Sequence, residues 1–216
     1  MGRRITGLRF QKHTAERVNV YLDGHFAFGL PAIEAARLRV GQELSEAEIE
    51  RLRALDAEQK AYDRAVRFLA FRPRSEAEVR RHLAQAGVDE ARAEAVVGRL
   101  KQQGYLDDAE FARFWVENRQ QFRPKGERAL RQELRQKGVD EAIIQSAVAD
   151  LDAEESAYAA ARARALRLAA LPDRDPLAFR RKLIEFLARR GFDYEVSQEV
   201  VERLARELGL EVPEEG

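Results

Sequence analysis

Two hydrophobic periods divide the chain. Along Arg17-Val18-Asn19-Val20-Tyr21-Leu22 and His25-Phe26-Ala27-Phe28-Gly29-Leu30, apolar side chains alternate with others. That period of two predicts half-buried strands, and Asp23-Gly24 between them predicts a tight hairpin turn because both residues tolerate positive φ. Ile5 to Phe10 reads as a third strand. Pro31 opens a short helix near Ala32–Arg37. Ser45-Glu46-Ala47-Glu48 is a capping box that starts another near Glu46–Leu55. Three small strands bury little area, so this module, residues 1–56, is expected to lean on its helices or its neighbour.

From residue 57 the period becomes helical, as at Ala61, Ala65, Phe68 and Leu69 and again at Ala129, Leu130 and Leu134. A repeat then emerges. Gly87-Val88-Asp89, Gly138-Val139-Asp140 and Gly191-Phe192-Asp193 recur at a period of about fifty residues. Their surroundings recur too: Arg72-Pro73-Arg74 matches Arg123-Pro124-Lys125, and Val79/Leu83 match Leu130/Leu134 and Leu183/Leu187. Downstream, Val96, Val97 and Leu100 align with Ala147, Val148 and Leu151, then with Val200, Val201 and Leu204.

Each copy has one physical meaning. The glycine ends a helix in the left-handed conformation, the apolar residue closes over the last turn, and the Asp carboxylate caps the next helix. A further helix precedes each pair, over about 57–71, 108–122 and 154–170. Pro73 and Pro124 break the chain after the first two, and Pro172 to Pro176 after the third. The fold class expected is therefore mainly α: three tandem three-helix repeats stacked into an elongated array, behind a small three-stranded β module. The repeats span 57–106, 107–152 and 153–208, with a tail at 209–216. A unit of about fifty residues has a marginal core alone, which is why neighbours should stack.

Composition narrows the class. Hydrophobic residues make up 45% of 216, too many for a disordered chain, and charged residues 35%. The N-terminus lacks the apolar core of a signal peptide, and no apolar run nears membrane-spanning length. Without cysteine there are no disulfides or thiolate ligands, which fits a cytoplasmic protein. Net charge is zero, which argues against a simple polyanion-coating protein.

At this point the chain resembles the RecX family of regulatory proteins. The most specific stretch is Gly104-Tyr105-Leu106-Asp107-Asp108-Ala109-Glu110-Phe111-Ala112, then Arg119, Lys125-Gly126, Leu130, Glu133-Leu134 and Lys137-Gly138-Val139. The first repeat matches well and the third loosely, so the resemblance covers roughly residues 57–208. The strand-rich start is similar to the N-terminal extension of longer members. The resemblance implies a fold of three three-helix repeats. It also implies a non-enzymatic role: binding the RecA recombinase and its filament on single-stranded DNA, and modulating, mostly inhibiting, ATP hydrolysis, strand exchange and co-protease activity. A monomer with weak direct DNA binding, no cofactor and no membrane contact is expected.

No phosphate-binding glycine loop or dinucleotide fingerprint is present, and no cysteine nucleophile. His13, His25 and His82 are scattered and read as surface residues rather than ligands. Asp107, Asp108 and Glu110 suggest a divalent-metal site only weakly, because acids at a helix start oppose its dipole in any case. Asp150, Asp152, Glu154 and Glu155 take the same reading. Trp115 with Phe111, Phe114 and Phe122 suggests a stacking platform for bases. Core packing is the plainer account, and Trp115 alternatively anchors a protein interface.

The basic residues are the most functional in character. Arg128, Arg131 and Arg135 fall on one helix face, away from Leu130 and Leu134. Residues 123–137 hold six basic and two acidic residues, 72–86 four and two, and 180–190 five and one. The candidate contacts are Arg72, Arg74, Arg80 and Arg81; Arg123, Lys125, Arg128, Arg131, Arg135 and Lys137; Arg180, Arg181, Lys182, Arg189 and Arg190; and Trp115. A solvated helix surface is the bland alternative for each. Two other functions stay open, a stand-alone nucleic-acid-binding repeat protein and an adaptor without DNA contact.

Overall fold

The structure is a computed structural model and describes residues 2–12, 14–171 and 175–210. His13, Pro172 and the tail beyond 210 lie outside the described residues. Four strands come first: β1 (Arg3–Gln11), β2 (Thr14–Leu22), β3 (His25–Pro31) and, after the short α1 (Ala32–Ala35), β4 (Glu43–Leu44). They form an antiparallel sheet in the order β3-β2-β1-β4, so a two-residue strand joins the three expected. The turn is as the sequence predicts, with Asp23 and Gly24 both at positive φ.

The sheet buries Ile5, Val18, Val20, Leu22, Phe28 and Leu30 on one face, and Leu44, Ile49 and Leu52 complete that core. Ile49 and Leu52 belong to α2 (Glu46–Leu69), and here the structure corrects the sequence reading. The helices expected over Glu46–Leu55 and 57–71 are one helix of 24 residues. Ser45 and Glu48 form its capping box, and no Gly or Pro interrupts it thereafter, so nothing stops propagation. Asp56, at the expected boundary, is instead buried in mid-helix, where it accepts from Arg17 of β2 and from Lys60 (2.6 Å).

The remaining helices are α3 (Glu76–Gln85), α4 (Glu90–Gln102), α5 (Asp108–Phe122), α6 (Glu127–Gln136), α7 (Glu141–Val148), α8 (Ala153–Ala169), α9 (Pro176–Arg189) and α10 (Tyr194–Glu207). With α2 they make three three-helix repeats: α2–α4, α5–α7 and α8–α10. The repeat positions form the cores. Phe111, Leu130, Leu134, Ile144 and Val148 pack in the second, and Phe179, Leu183, Leu187, Val200 and Leu204 in the third.

The three turns share one geometry. Gly87, Gly138 and Gly191 have φ of 78°, 80° and 83°. Val88, Val139 and Phe192 each donate their N–H back to Leu83, Leu134 and Leu187 (3.1–3.2 Å), the hydrogen bond that closes a glycine-ended helix. Asp89 and Asp140 accept from the first-turn N–H of Arg92 and Ala142 (2.9 Å). Asp193 departs from the expectation, with no side-chain capping bond. Pro176 bounds the break between α8 and α9, opening α9 at a first-turn position where its missing N–H costs nothing.

By its contacts the chain divides into two compact parts, Met1–Arg72 with Val79–Tyr105, and Pro73–Glu78 with Leu106–Gly216. The first turn of α3 thus belongs to the second part. Ser75 Oγ donates to the Lys137 carbonyl (2.6 Å), and Glu78 pairs with the Lys137 ammonium (2.8 Å). The third repeat meets the second in the same way, with the Gly126 N–H donating to the Arg190 carbonyl (3.0 Å). In both cases the start of one repeat's second helix seats on the glycine turn of the next.

Candidate functional site

Helix α6 presents Arg128, Arg131 and Arg135 on one face as the spacing predicts, but the stripe is not free charge. Arg131 pairs with Glu127 (2.7 Å) and Glu141 (3.4 Å), and Arg135 grips Glu141 with two nitrogens (2.8 and 2.7 Å). The Arg135 hydrogen bond holds the Glu141 carboxyl below its ordinary range. Glu141 follows the Asp140 cap, where an acid also suits the helix dipole. Two of the three cations are therefore neutralised, Arg131 by Glu127 and both by Glu141, an acid that a count ending at Lys137 omits.

Lys125, Lys137 and Trp115 form a second arrangement around Glu133. This carboxylate, 17% exposed, accepts from the Trp115 indole N–H and from Arg119 (both 2.8 Å) as well as from Lys125. Burial pushes its pKa up, but the hydrogen bonds from Arg119, Lys125 and Trp115 outweigh that and leave it below the ordinary value. Arg119 and Lys137 also lie over the Trp115 ring, at 4.4 and 4.9 Å from its centre. Trp115 is thus tied down on its N–H and its ring by its own repeat. Of the neighbouring aromatics, Phe111 is buried with its ring 5.8 Å from that of Trp115, while Phe114 and Phe122 are exposed.

A cluster of positive charge without acidic partners among the described residues lies where the second and third repeats meet. Arg128 donates to the Ala188 carbonyl in the last turn of α9 (3.2 Å), and Arg190 to the Pro124 carbonyl (3.1 Å) while packing on the Phe186 ring. Burial and the nearby Arg123 charge both lower the Arg190 pKa. Arg123, Arg128, Arg189 and Arg190 thus gather where α6 begins and α9 ends, and among the described residues none of them pairs with an acid. Such a cluster attracts a phosphate or a partner's carboxylates. On α9 the Arg180 Nε is buried without a partner, and Arg181 and Lys182 are exposed.

In the first repeat Arg80 pairs with both oxygens of Glu94 (2.5 and 3.1 Å), while Arg81 is exposed and Arg72 and Arg74 are half-buried. His25 is exposed, but His82 is not a plain surface residue, since its ring stacks on Phe68 at 4.1 Å. Asp107 caps α5, and Asp108 accepts from the Glu76 N–H (2.8 Å). Among the described residues no acidic or histidine group is arranged to hold a metal ion, and no helix is long and apolar enough to cross a membrane. The sequence reading missed Arg64 and Arg67 of α2, exposed and without partners among the described residues. Their spacing from Lys60 was the available signal.

Three three-helix repeats on glycine turns, preceded by a strand module and bearing paired and unpaired cations, define a helical-repeat protein whose distinctive chemistry is on its surface. Comparison places it further. The chain belongs to the RecX family of regulatory proteins. Residues 3–45 match the regulatory protein RecX N-terminal domain, and 61–100, 107–148 and 154–201 match the first, second and third RecX three-helix domains. The regulatory protein RecX of Lactobacillus delbrueckii subsp. bulgaricus is 36% identical over 208 residues, covering 94% of this chain and 75% of that one. That of Mycobacterium sp. (strain KMS) is 40% identical over 149 residues, 67% of this chain and 81% of its own. A crystal structure of regulatory protein RecX superposes with a TM-score of 0.72 at 29% identity, covering 93% of this chain and 99% of that one.

Proposed function

We propose that this chain binds the RecA recombinase and its filament on single-stranded DNA, and lowers the filament's ATP hydrolysis, strand exchange and co-protease activity. The reading rests on the 36% identity with a regulatory protein RecX along 94% of the chain. It places the protein in cytoplasmic DNA repair and the SOS response, acting as a monomer. Its surface chemistry suits the role. Arg123, Arg128, Arg189 and Arg190 supply unneutralised cations, while the zero net charge disfavours strong binding to DNA alone.

The experiment measures the DNA-dependent ATPase of RecA with the protein added. Wild type should lower it, and Arg123→Glu/Arg189→Glu should weaken that inhibition about tenfold at unchanged helicity, since like-charge contacts cost several kcal/mol. Arg131→Glu/Arg135→Glu should act mainly by breaking pairs with Glu127 and Glu141. An ATPase that the wild-type protein leaves unchanged would overturn the proposal. A site elsewhere would be indicated by a folded Arg123→Glu/Arg189→Glu variant that inhibits normally.

A further inference from the structure

Three glycine turns of one geometry have two occupants. At Gly138 the occupant is the first turn of α3: a Cβ added to Gly138 would overlap that of Ala77, and Ser75 bonds the carbonyl just before the glycine. At Gly191 it is the first turn of α6, where an added Cβ would overlap Ala129 and Gly126 bonds the preceding carbonyl. Gly87 carries the same left-handed turn, yet a Cβ there would meet nothing within 4 Å. In place of an occupant there is a cleft of about 460 Å³, walled by Ala86, Gly87 and Val88 on one side and Lys60, Arg64 and Arg67 on the other.

The charges of the cleft indicate what would fill it. Arg17 and Lys60 are engaged by Asp56, Arg17 also lies 3.9 Å from Asp63, and Arg92 pairs with Asp89 (2.8 Å). Arg64 and Arg67 are left without partners among the described residues. The occupant at Gly138 already brings an acid, Glu78, to a cation of the turn it covers. A second copy of this chain fits poorly. Counting on from Gly126 by the repeat leads to Phe179, buried inside α9, and that helix starts earlier with Pro176 and Leu177. The small residue of that turn, Ala178, is flanked by Leu177, which is largely exposed, and by the buried Phe179.

We propose that the Gly87 turn is a vacant socket for the first turn of a helix from a partner protein, with Gly, Ser or Ala at the contact and acidic side chains facing Arg64 and Arg67. The inference goes beyond the family reading and stands without it, since it does not depend on which protein supplies the helix. The wall is cationic, the closing carbonyl is that of Ala86, and the clearance at Gly87 sets the size limit on the incoming residue.

The test is an NMR titration of the full chain with a lactam-braced peptide of residues 73–86, whose Ser75-Glu76-Ala77-Glu78 turn fills the equivalent socket at Gly138. Saturable shifts are expected at the Gly87 and Val88 amides and the Arg64 and Arg67 Nε–H groups, at peptide concentrations up to about 1 mM. Gly87→Asn should abolish them, because Asn tolerates the left-handed backbone while its side chain occupies the socket. Arg64→Glu/Arg67→Glu should weaken them about tenfold. Absent shifts, shifts elsewhere, or shifts that persist in Gly87→Asn would overturn the proposal. So would oligothymidylate moving the same resonances regardless of Gly87→Asn, which would mark a phosphate site. Movement with protein concentration alone would overturn it in favour of a second copy.

Discussion

Gly87 and Gly138 have the same backbone conformation and different surroundings, so one substitution made at both separates two costs. A Cβ in left-handed backbone costs about 1–2 kcal/mol by itself. At Gly87 that is the whole penalty, because nothing lies within 4 Å of the added atom. At Gly138 the same methyl runs into Ala77, and forcing a methyl-sized group into packed space costs a further ~1–3 kcal/mol. Gly138→Ala should therefore destabilise by about 2–5 kcal/mol, against about 1–2 for Gly87→Ala. Urea unfolding followed by both far-ultraviolet circular dichroism and tryptophan fluorescence suits the measurement, since helicity reports on both parts of the chain and Trp115, the only tryptophan, on the second repeat. Adding Ala77→Gly should recover part of the Gly138→Ala loss, with a coupling above ~0.5 kcal/mol in a double-mutant cycle. Equal losses at the two glycines and zero coupling to Ala77 would refute the seating of α3 on this turn.

Ser75→Ala should cost about 1–2 kcal/mol by removing a fully buried hydroxyl that serves both Lys137 O and the Glu78 N–H; a change below ~0.3 kcal/mol in urea unfolding would contradict that contact. Glu133→Gln should destabilise by about 1–3 kcal/mol near neutrality, because Arg119 and Lys125 lose their counter-charge. The Glu133 pKa is depressed in the folded state, so its stabilisation is present above the unfolded value near 4.5 and disappears as pH falls through the lower folded one. The Gln variant should lack that part of the acid dependence, which unfolding at stepped pH would detect. Finally, the purified chain should not hydrolyse ATP; turnover that follows a mutation in this chain would be the contrary result.

What could be read from the sequence was what recurs locally. The hairpin at Asp23-Gly24, the three glycine turns and the apolar positions between them each carry their signal within a few residues. Continuity of α2 was harder to read: the repeat places a boundary near residue 57, whereas helix propagation needs only the absence of Gly and Pro, and the second consideration won. The seating of α3 was written in Ser75-Glu76-Ala77-Glu78, the same four residues as the capping box at Ser45, but its target at Lys137 is 62 positions away. The α6 stripe shows the same limit. Its arginines were legible from spacing, while their neutralisation by Glu141 depends on how tightly the Gly138 turn brings α7 back. Asp193 marks the reverse case, where the right residue at the right place makes no side-chain cap.

Because α2 is unbroken from Glu46 to Leu69, it acts as a gauge block within its part of the chain. Its 24 residues span about 36 Å at 1.5 Å each, with Ile49 and Leu52 fixed in the sheet's core at one end and Ala61 and Ala65 buried at the other. Inserting one residue between Leu52 and Ala61 would turn the far end by about 100°, carrying both alanines off their packing face. Seven or eleven added residues would nearly restore the phase. Length variation among relatives along this stretch should accordingly be quantised.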